Sequence, residues 1–191
     1  MDEPPQEFYS EDRWQNWIDR IETEDIDPEE EASARLLLNL QDDVAIAVAK
    51  IVRAYEEDVI DDDRAYEEVD TIRQIVLGDP DIEDEETALL VDGVQTGLMC
   101  VFYAAEEYIA SGAATDASIT EYLRAAADAE AEEDLDVALG YAAQAGTRVI
   151  DGEDFDASLA DDMEYGLVTE WINGLDSLRS AMSDPEVIEE D

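Results

Sequence analysis

Histidine is absent from the 191-residue sequence, and lysine and cysteine occur once each, as Lys50 and Cys100. Without histidine the chain can form no Ser-His-Asp triad, no Cys-His pair, and none of the usual histidine-containing zinc or di-iron sites. A single cysteine allows no disulfide within the chain, and its position in an apolar run predicts a buried, unreactive thiol. Lys50 stands between Ala49 and Ile51, which is typical of a surface lysine and not of a Schiff-base lysine.

Basic residues are scarce and acidic residues abundant: 10 Lys and Arg stand against 55 Asp and Glu, for a net charge of −45. Spread over a sphere of about 21 Å radius, this charge has an electrostatic self-repulsion energy on the order of 50 kcal/mol at physiological ionic strength. In multimolar salt the same energy falls to roughly 20 kcal/mol. Because a domain is stable by only about 5–15 kcal/mol, we expect the protein to work in concentrated salt. The hydrophobic content of 46%, periodically spaced, argues against a disordered acidic chain.

The sequence also lacks the signals of export, membrane insertion and nucleic-acid binding. Residues 1–5 form neither the basic nor the apolar region of a signal peptide. The nearest approach to a membrane span, residues 89–105, is interrupted by Asp92, Gln95 and two glycines. The nine arginines are scattered in an acidic background and form no basic patch. We therefore expect a cytoplasmic protein of an extreme halophile that binds neither membranes nor nucleic acid.

The apolar residues follow helical spacing throughout, which predicts an all-α bundle of about six to seven helices. Ser10 and Asp61 are predicted helix caps, and Asp84, Ser118 and Asp134 are predicted to begin further helices. Asp27 is the predicted cap of the long second helix, with Pro28 as its first residue. The segment near residues 85–111 is apolar on most sides and is the predicted central helix, and the last helix is predicted from about 158 to 183. The expected organisation is a flexible lead at 1–9, a single helical domain at 10–183 and an acidic tail at 184–191.

Two pairs of residues stand out as candidate contact sites. Trp14 and Trp17 share one stripe of the first helix, where they either attach that helix to its own core or form the centre of a partner interface. Gly93 and Gly97 are one turn apart and predict a close helix–helix contact, within the monomer or across a dimer.

Four polar residues lie within otherwise apolar helical segments: Asn39, Asp43, Asp92 and Gln95. Each is interpreted as a hydrogen-bonded core group or, alternatively, as a ligand anchor in a buried polar site. The sequence predicts no catalytic residue, no cofactor-binding residue and no metal ligand.

Paired carboxylates leave one enzymatic alternative open. Glu67 and Asp70 are one helical turn apart, as are pairs in residues 83–86, and all-α nucleotide pyrophosphohydrolases hold magnesium with such pairs. Chance alone gives roughly 16 such pairs at this acidic content, so the spacing has little specificity. Residues 79–90 resemble the start of a calcium loop but lack its glycine and its terminal glutamate.

The chain resembles an uncharacterised haloarchaeal family, a domain of unknown function. The similar segments are FYSEDRWQNW at 8–17, LLLNLQDDVAI at 36–46, LVDGVQT at 90–96 and VFYAAEEY at 101–108. The resemblance extends over nearly the full length and implies a cytosolic protein of a halophile. It implies no activity, cofactor or catalytic residue.

The leading hypothesis is a non-enzymatic helical module for protein interaction or regulation, acting as a homodimer or with another protein partner. It follows from the long amphipathic faces and the lack of catalytic motifs. The first alternative is a carboxylate-and-magnesium enzyme that acts on nucleotides. The second is an acidic blocker of nucleic-acid sites, which requires carboxylates concentrated on one face.

Overall fold

The computed structural model describes residues 8–24, 26–27 and 29–183 and confirms the all-α fold. Within them it contains seven α-helices, one 3₁₀ helix and no strand. The α-helices are α1 (Glu11–Thr23), α2 (Glu31–Glu56), α3 (Asp62–Val76), α4 (Glu85–Ser111), α5 (Ile119–Ala131), α6 (Leu135–Ile150) and α7 (Leu167–Met182). The 3₁₀ helix spans Ala157–Asp162, between α6 and α7. Residues 1–7 of the predicted lead and the predicted tail at 184–191 lie outside the described residues.

Local capping chemistry sets most helix starts. The side chains of Ser10, Asp61, Asp84, Ser118 and Asp134 each accept a hydrogen bond from a backbone N–H in the first turn of the following helix. Such a bond satisfies a backbone donor that has no partner within the helix. The predicted cap residues therefore begin their helices as expected.

The start of α2 differs in detail from the prediction. The Asp27 carboxylate accepts from the N–H of Glu29, at 2.9 Å, and so closes a turn ahead of the helix. The helix itself begins at Glu31, after Glu30, whose side chain makes no capping bond. Pro28, predicted as the first helical residue, lies outside the described residues.

Helix α4 is the centre of the bundle, as predicted. It packs against α2, α3, α6 and α7, and Leu98, Val101 and Phe102 are fully buried along it. By length and composition alone α4 could cross a membrane, but half of its most apolar stretch is buried inside the protein. Its apolar character is that of a core helix. Helix α5 packs mainly on α6, and α1 contacts only α2 and α3 to any extent.

Helices α4 and α7 cross with their backbones in contact. A Cβ atom added to Gly97 would lie 2.8 Å from the carbonyl oxygen of Glu170, and one added to Gly174 would lie 2.6 Å from the carbonyl carbon of Gly97. Neither distance leaves room for a side chain. Gly93 lies one turn earlier on α4, where an added Cβ would be 3.6 Å from Glu170 Oε2, an ordinary contact. The close approach is thus within the chain, at Gly97 and Gly174.

The last helix begins later than the apolar spacing predicts. Leu159 and Met163 continue the stripe of α7 in sequence, but they belong to the 3₁₀ segment and the loop after it. The reason is a contact from a distant helix. The carboxylate of Glu130, on α5, accepts from the N–H groups of Leu167 and Val168 at 2.9 and 3.0 Å. These two amides are therefore bonded to a side chain and begin a new helix.

Candidate functional site

The two tryptophans of α1 face the protein's own core. Trp14 is buried, and Trp17 is half-buried and donates from Nε1 to the Asp43 carboxylate at 3.0 Å. Asp43 also accepts from Arg13, whose Nε lies 2.8 Å away. The neighbouring Tyr9 is buried, and the loss of solvation, followed by the charge of Asp43, raises the pKa of its phenol. This cluster attaches α1 to α2.

The other predicted polar residues do not meet in one site. Asn39 and Asp92 are exposed. Gln95 is half-buried, and its amide donates to the carbonyl oxygens of Val76 and Gly78 at 2.7 and 3.0 Å, which completes the C-terminal end of α3. Of the predicted residues, the structure brings together only Asp43 and Trp17 among those it describes.

Gln41 is a buried polar residue of the core that sequence reasoning missed. Its amide donates to the carbonyl of Asn173 at 3.0 Å and to Ser177 Oγ at 2.8 Å, next to the contact between Gly97 and α7. A sequence signal for it existed. Position 41 lies in the row of α2 that continues through Ala45, so a glutamine there points inward.

Carboxylates do not cluster as a magnesium site requires. In the part of the chain that the structure describes, no group of three or more Asp, Glu or Cys side chains is arranged to hold a metal ion. Asp70 of the predicted pair binds Arg73 of the same helix, and Arg73 Nη1 also lies 2.6 Å from Glu106 on α4. Loss of solvation raises the pKa of Glu106, and the charge of Arg73 opposes that shift.

The ion pairs between arginines and carboxylates distinguish one arginine, Arg124, from the others. Of the nine arginines, all within the described ranges, eight form an ion pair with a carboxylate. Arg124, on α5, is exposed, and its side chain makes neither an ion pair nor a hydrogen bond with any residue that the structure describes. Glu121, one turn earlier, is engaged in the helix cap, where it accepts from the N–H of Ser118. Asp128, one turn later, does not pair with Arg124, although Arg20 and Arg64 pair with an acid at the same spacing.

Arg124 lies on the wall of an open groove of about 540 Å³. The groove runs between α5, the 3₁₀ segment and the start of α7, and such a volume is in the range of ligand-sized clefts. Its apolar lining comes from Ala127, Ala131, Leu159, Met163 and Val168, and its acidic lining from Asp128, Glu130, Asp162 and Glu164.

Tyr165 and Glu130 shape the groove from opposite sides. Tyr165 lines it with 84% of the residue exposed, and its hydroxyl donates to the Glu170 carboxylate. Glu130 fixes the far wall through its bonds to the first amides of α7. Gly166 makes room for that carboxyl group, because an added Cβ would lie 3.0 Å from Glu130 Cδ. The groove is therefore formed by contacts within the chain.

These features define an all-α bundle with an open, partly apolar surface groove, lined by four carboxylates and by one arginine that has no ion pair with the residues that the structure describes. Comparison with known protein families shows to which family the chain belongs. It belongs to the family described as "Uncharacterized protein conserved in archaea (DUF2150)", whose model matches residues 7–191. No curated protein and no solved structure matches the chain. The match supports the predicted resemblance to an uncharacterised family of archaeal proteins.

Proposed function

We propose that the chain is a non-enzymatic protein-interaction module of the cytoplasm of a salt-loving archaeon, and that the groove beside α5 is its contact surface. The observation that carries the proposal is Arg124. In a chain with 55 acidic residues it has no ion pair with any residue in the described ranges, while each of the other eight arginines has at least one. A partner's carboxylate would supply the missing pair.

The lining of the groove supports the same proposal. Arg, Tyr and Met are among the residue types enriched in protein interfaces, and the groove presents Arg124, Tyr165 and Met163 together, beside four carboxylates of a type that is depleted there. Tyr165 offers a large ring held by one hydrogen bond, so its contact area is available at a low cost in conformational entropy. The net charge of −45 supports the proposed cytoplasm of a salt-loving archaeon, because a folded protein with such a charge is most stable where salt screens the repulsion.

Site-specific photo-crosslinking in living cells of a salt-loving archaeon tests the proposal. A photoreactive phenylalanine at position 165 is expected to give a discrete crosslinked product of defined mass. The same residue at position 89 is the matched control, because Leu89 is also apolar and exposed but does not line the groove. The substitution Arg124→Glu should reduce the product from position 165. Equal products from both positions, or none from position 165, would rule out the groove as the contact surface.

A further inference from the structure

The connection between α6 and α7 borders the groove and is attached to the rest of the protein near its two ends. From position 151 to position 167 no residue is buried. Near the start of this connection, Glu153 accepts from Arg148 of α6 at 2.6 and 3.0 Å. At its end, Glu130 of α5 accepts from the N–H of Leu167 at 2.9 Å. The stretch between these attachments forms one wall of the groove.

We call residues 156–164 of this connection the strap. In the part of the chain that the structure describes, the strap forms hydrogen bonds only within itself and makes no ion pair. Leu159 and Met163 are its apolar contributions to the groove, and both are half-buried. Segments with few buried side chains and few hydrogen bonds to their surroundings are those that move at a low cost in free energy. The strap therefore has the features of a movable wall.

The opposite wall of the groove, on α5, leaves room for the strap. It presents the short side chains of Ala127 and Ala131, which leave space that longer side chains can fill. Arg124 lies on the same wall without an ion pair among the described residues, whereas Asp162 and Glu164 line the strap side and are exposed. A displacement of the strap toward α5 would bury apolar surface and give Arg124 a carboxylate partner from its own chain.

We propose that the strap is a lid that closes the groove against partners. In the closed position the apolar side chains of the strap fill the space above the two alanines of α5, and Asp162 or Glu164 pairs with Arg124. Because a partner's carboxylate needs the same arginine and the same groove, the closed strap excludes the partner. This inference rests on the proposed function and names the regulation of the same site.

Salt sets the balance between the two positions of the strap. Two carboxylates line the strap side of the groove and two, those of Asp128 and Glu130, line α5, so closure brings like charges together. The Debye length falls from about 8 Å at physiological ionic strength to about 3 Å at 1 M, so multimolar salt screens this repulsion, while an ion pair in direct contact is screened less. We therefore expect dilute salt to favour the open position and multimolar salt the closed one.

Distances between two spin labels, measured by pulsed electron paramagnetic resonance, test the proposal. One label replaces Asp161, an exposed strap residue that does not line the groove, and the other replaces Thr120, exposed one turn before Arg124. We expect two distance populations, of which the shorter grows about threefold between about 0.5 M and 3 M potassium chloride. Labels at Thr120 and Glu132, at the two ends of α5, are the control and should give one unchanged population. The native thiol of Cys100 is buried.

Substitutions at the proposed ion pair sharpen the test. In 3 M potassium chloride Arg124→Glu should reduce the shorter-distance population by about threefold or more, because a repulsive contact replaces an attractive one. Arg35→Glu is the matched control, since Arg35 is also an exposed helical arginine but lies on α2, away from the groove lining. Either Asp162→Asn or Glu164→Gln should have the effect of Arg124→Glu and so identify the strap carboxylate. Exchanging that residue with Arg124 should restore the wild-type distances.

Crosslinking from position 165 then connects the strap to the partner. The strap variant that opens the groove keeps Arg124 and should increase the crosslinked product, whereas Arg124→Glu should lower it. All substituted residues are exposed, and circular dichroism checks that each variant is folded at each salt concentration.

The strap and the proposed function fail in distinguishable ways. A single distance population that neither salt nor these variants change would overturn the inference, and a crosslink from position 165 would still support the proposed function. A growth of the shorter-distance population in both Asp162→Asn and Glu164→Gln would also overturn it, because neither carboxylate would then hold the strap closed. A strap that moves as expected in a protein that gives no crosslink would remove the proposed function and the regulatory role together.

Discussion

The crossing of α4 and α7 gives the most direct prediction, through Gly174→Ala. The new methyl carbon would lie 2.6 Å from the carbonyl carbon of Gly97, and carbon atoms pack at about 3.5 Å or more, so the helices must separate by about 1 Å. Overpacking of this kind costs typically 1–3 kcal/mol, and we expect the upper part of that range because both groups are backbone. Replacing glycine with alanine within a helix returns about 1 kcal/mol. The net loss is about 2 kcal/mol.

Gly140→Ala is the matched control. Gly140 is in the interior of α6, and an added Cβ would meet no atom within 4 Å. This variant should therefore gain about 0.5–1 kcal/mol from helix propensity alone. The same replacement of glycine by alanine should therefore lower the free energy of unfolding at position 174 and raise it at position 140.

Thermal unfolding in multimolar potassium chloride, followed by circular dichroism, measures both effects. For a chain of this size 1 kcal/mol corresponds to about 2–4 °C in Tm, so Gly174→Ala should lower Tm by about 4–8 °C and Gly140→Ala should raise it by about 1–4 °C. Equal shifts of the same sign would refute the argument, since they would mean that α4 and α7 do not touch at this point.

Three further predictions concern single side chains. Asp43→Ala should destabilise the docking of α1 by about 1–2 kcal/mol, because Trp17 loses its acceptor; faster hydrogen exchange confined to α1 checks this, and unchanged exchange contradicts it. The Cys100 thiol should resist a thiol reagent until the protein unfolds, since complete burial raises its pKa, and rapid labelling of the native protein would show otherwise. The contribution of Asp42 and Glu106 to the free energy of unfolding should rise as pH falls from neutral toward the ordinary carboxyl pKa of about 4, because loss of solvation raises the pKa of both groups, so that protonation relieves a penalty of the folded state. Denaturant titrations at several pH values should show a smaller rise for Asp42→Asn, and an identical slope would contradict the assignment.

Features encoded within one helical turn could be predicted from the sequence. Ser118 begins α5 as expected, because a cap needs only its own side chain and the next three amides. The central position of α4 was likewise predictable, since a helix that is apolar on most sides has to be surrounded.

Features that depend on distant contacts could not be predicted in this way. The start of α7 is set by Glu130, which is 37 residues away, and nothing near Leu167 indicates it. The Gln95 amide reaches backbone carbonyls of α3 that sequence spacing cannot locate. Arg124 became informative only when the other arginines were seen to be paired, because pairing across helices is not visible in a sequence.

The bond from Glu130 to the start of α7 also has a consequence for the order of folding. The amides of Leu167 and Val168 receive their acceptor only after α5 is helical and has come close in space. Nucleating a helix is costly, and here an important contact at the first turn of α7 is non-local. We therefore expect α5 and α6, which pair locally, to form before the first turn of α7. The groove should then be among the last parts of the chain to take shape during synthesis.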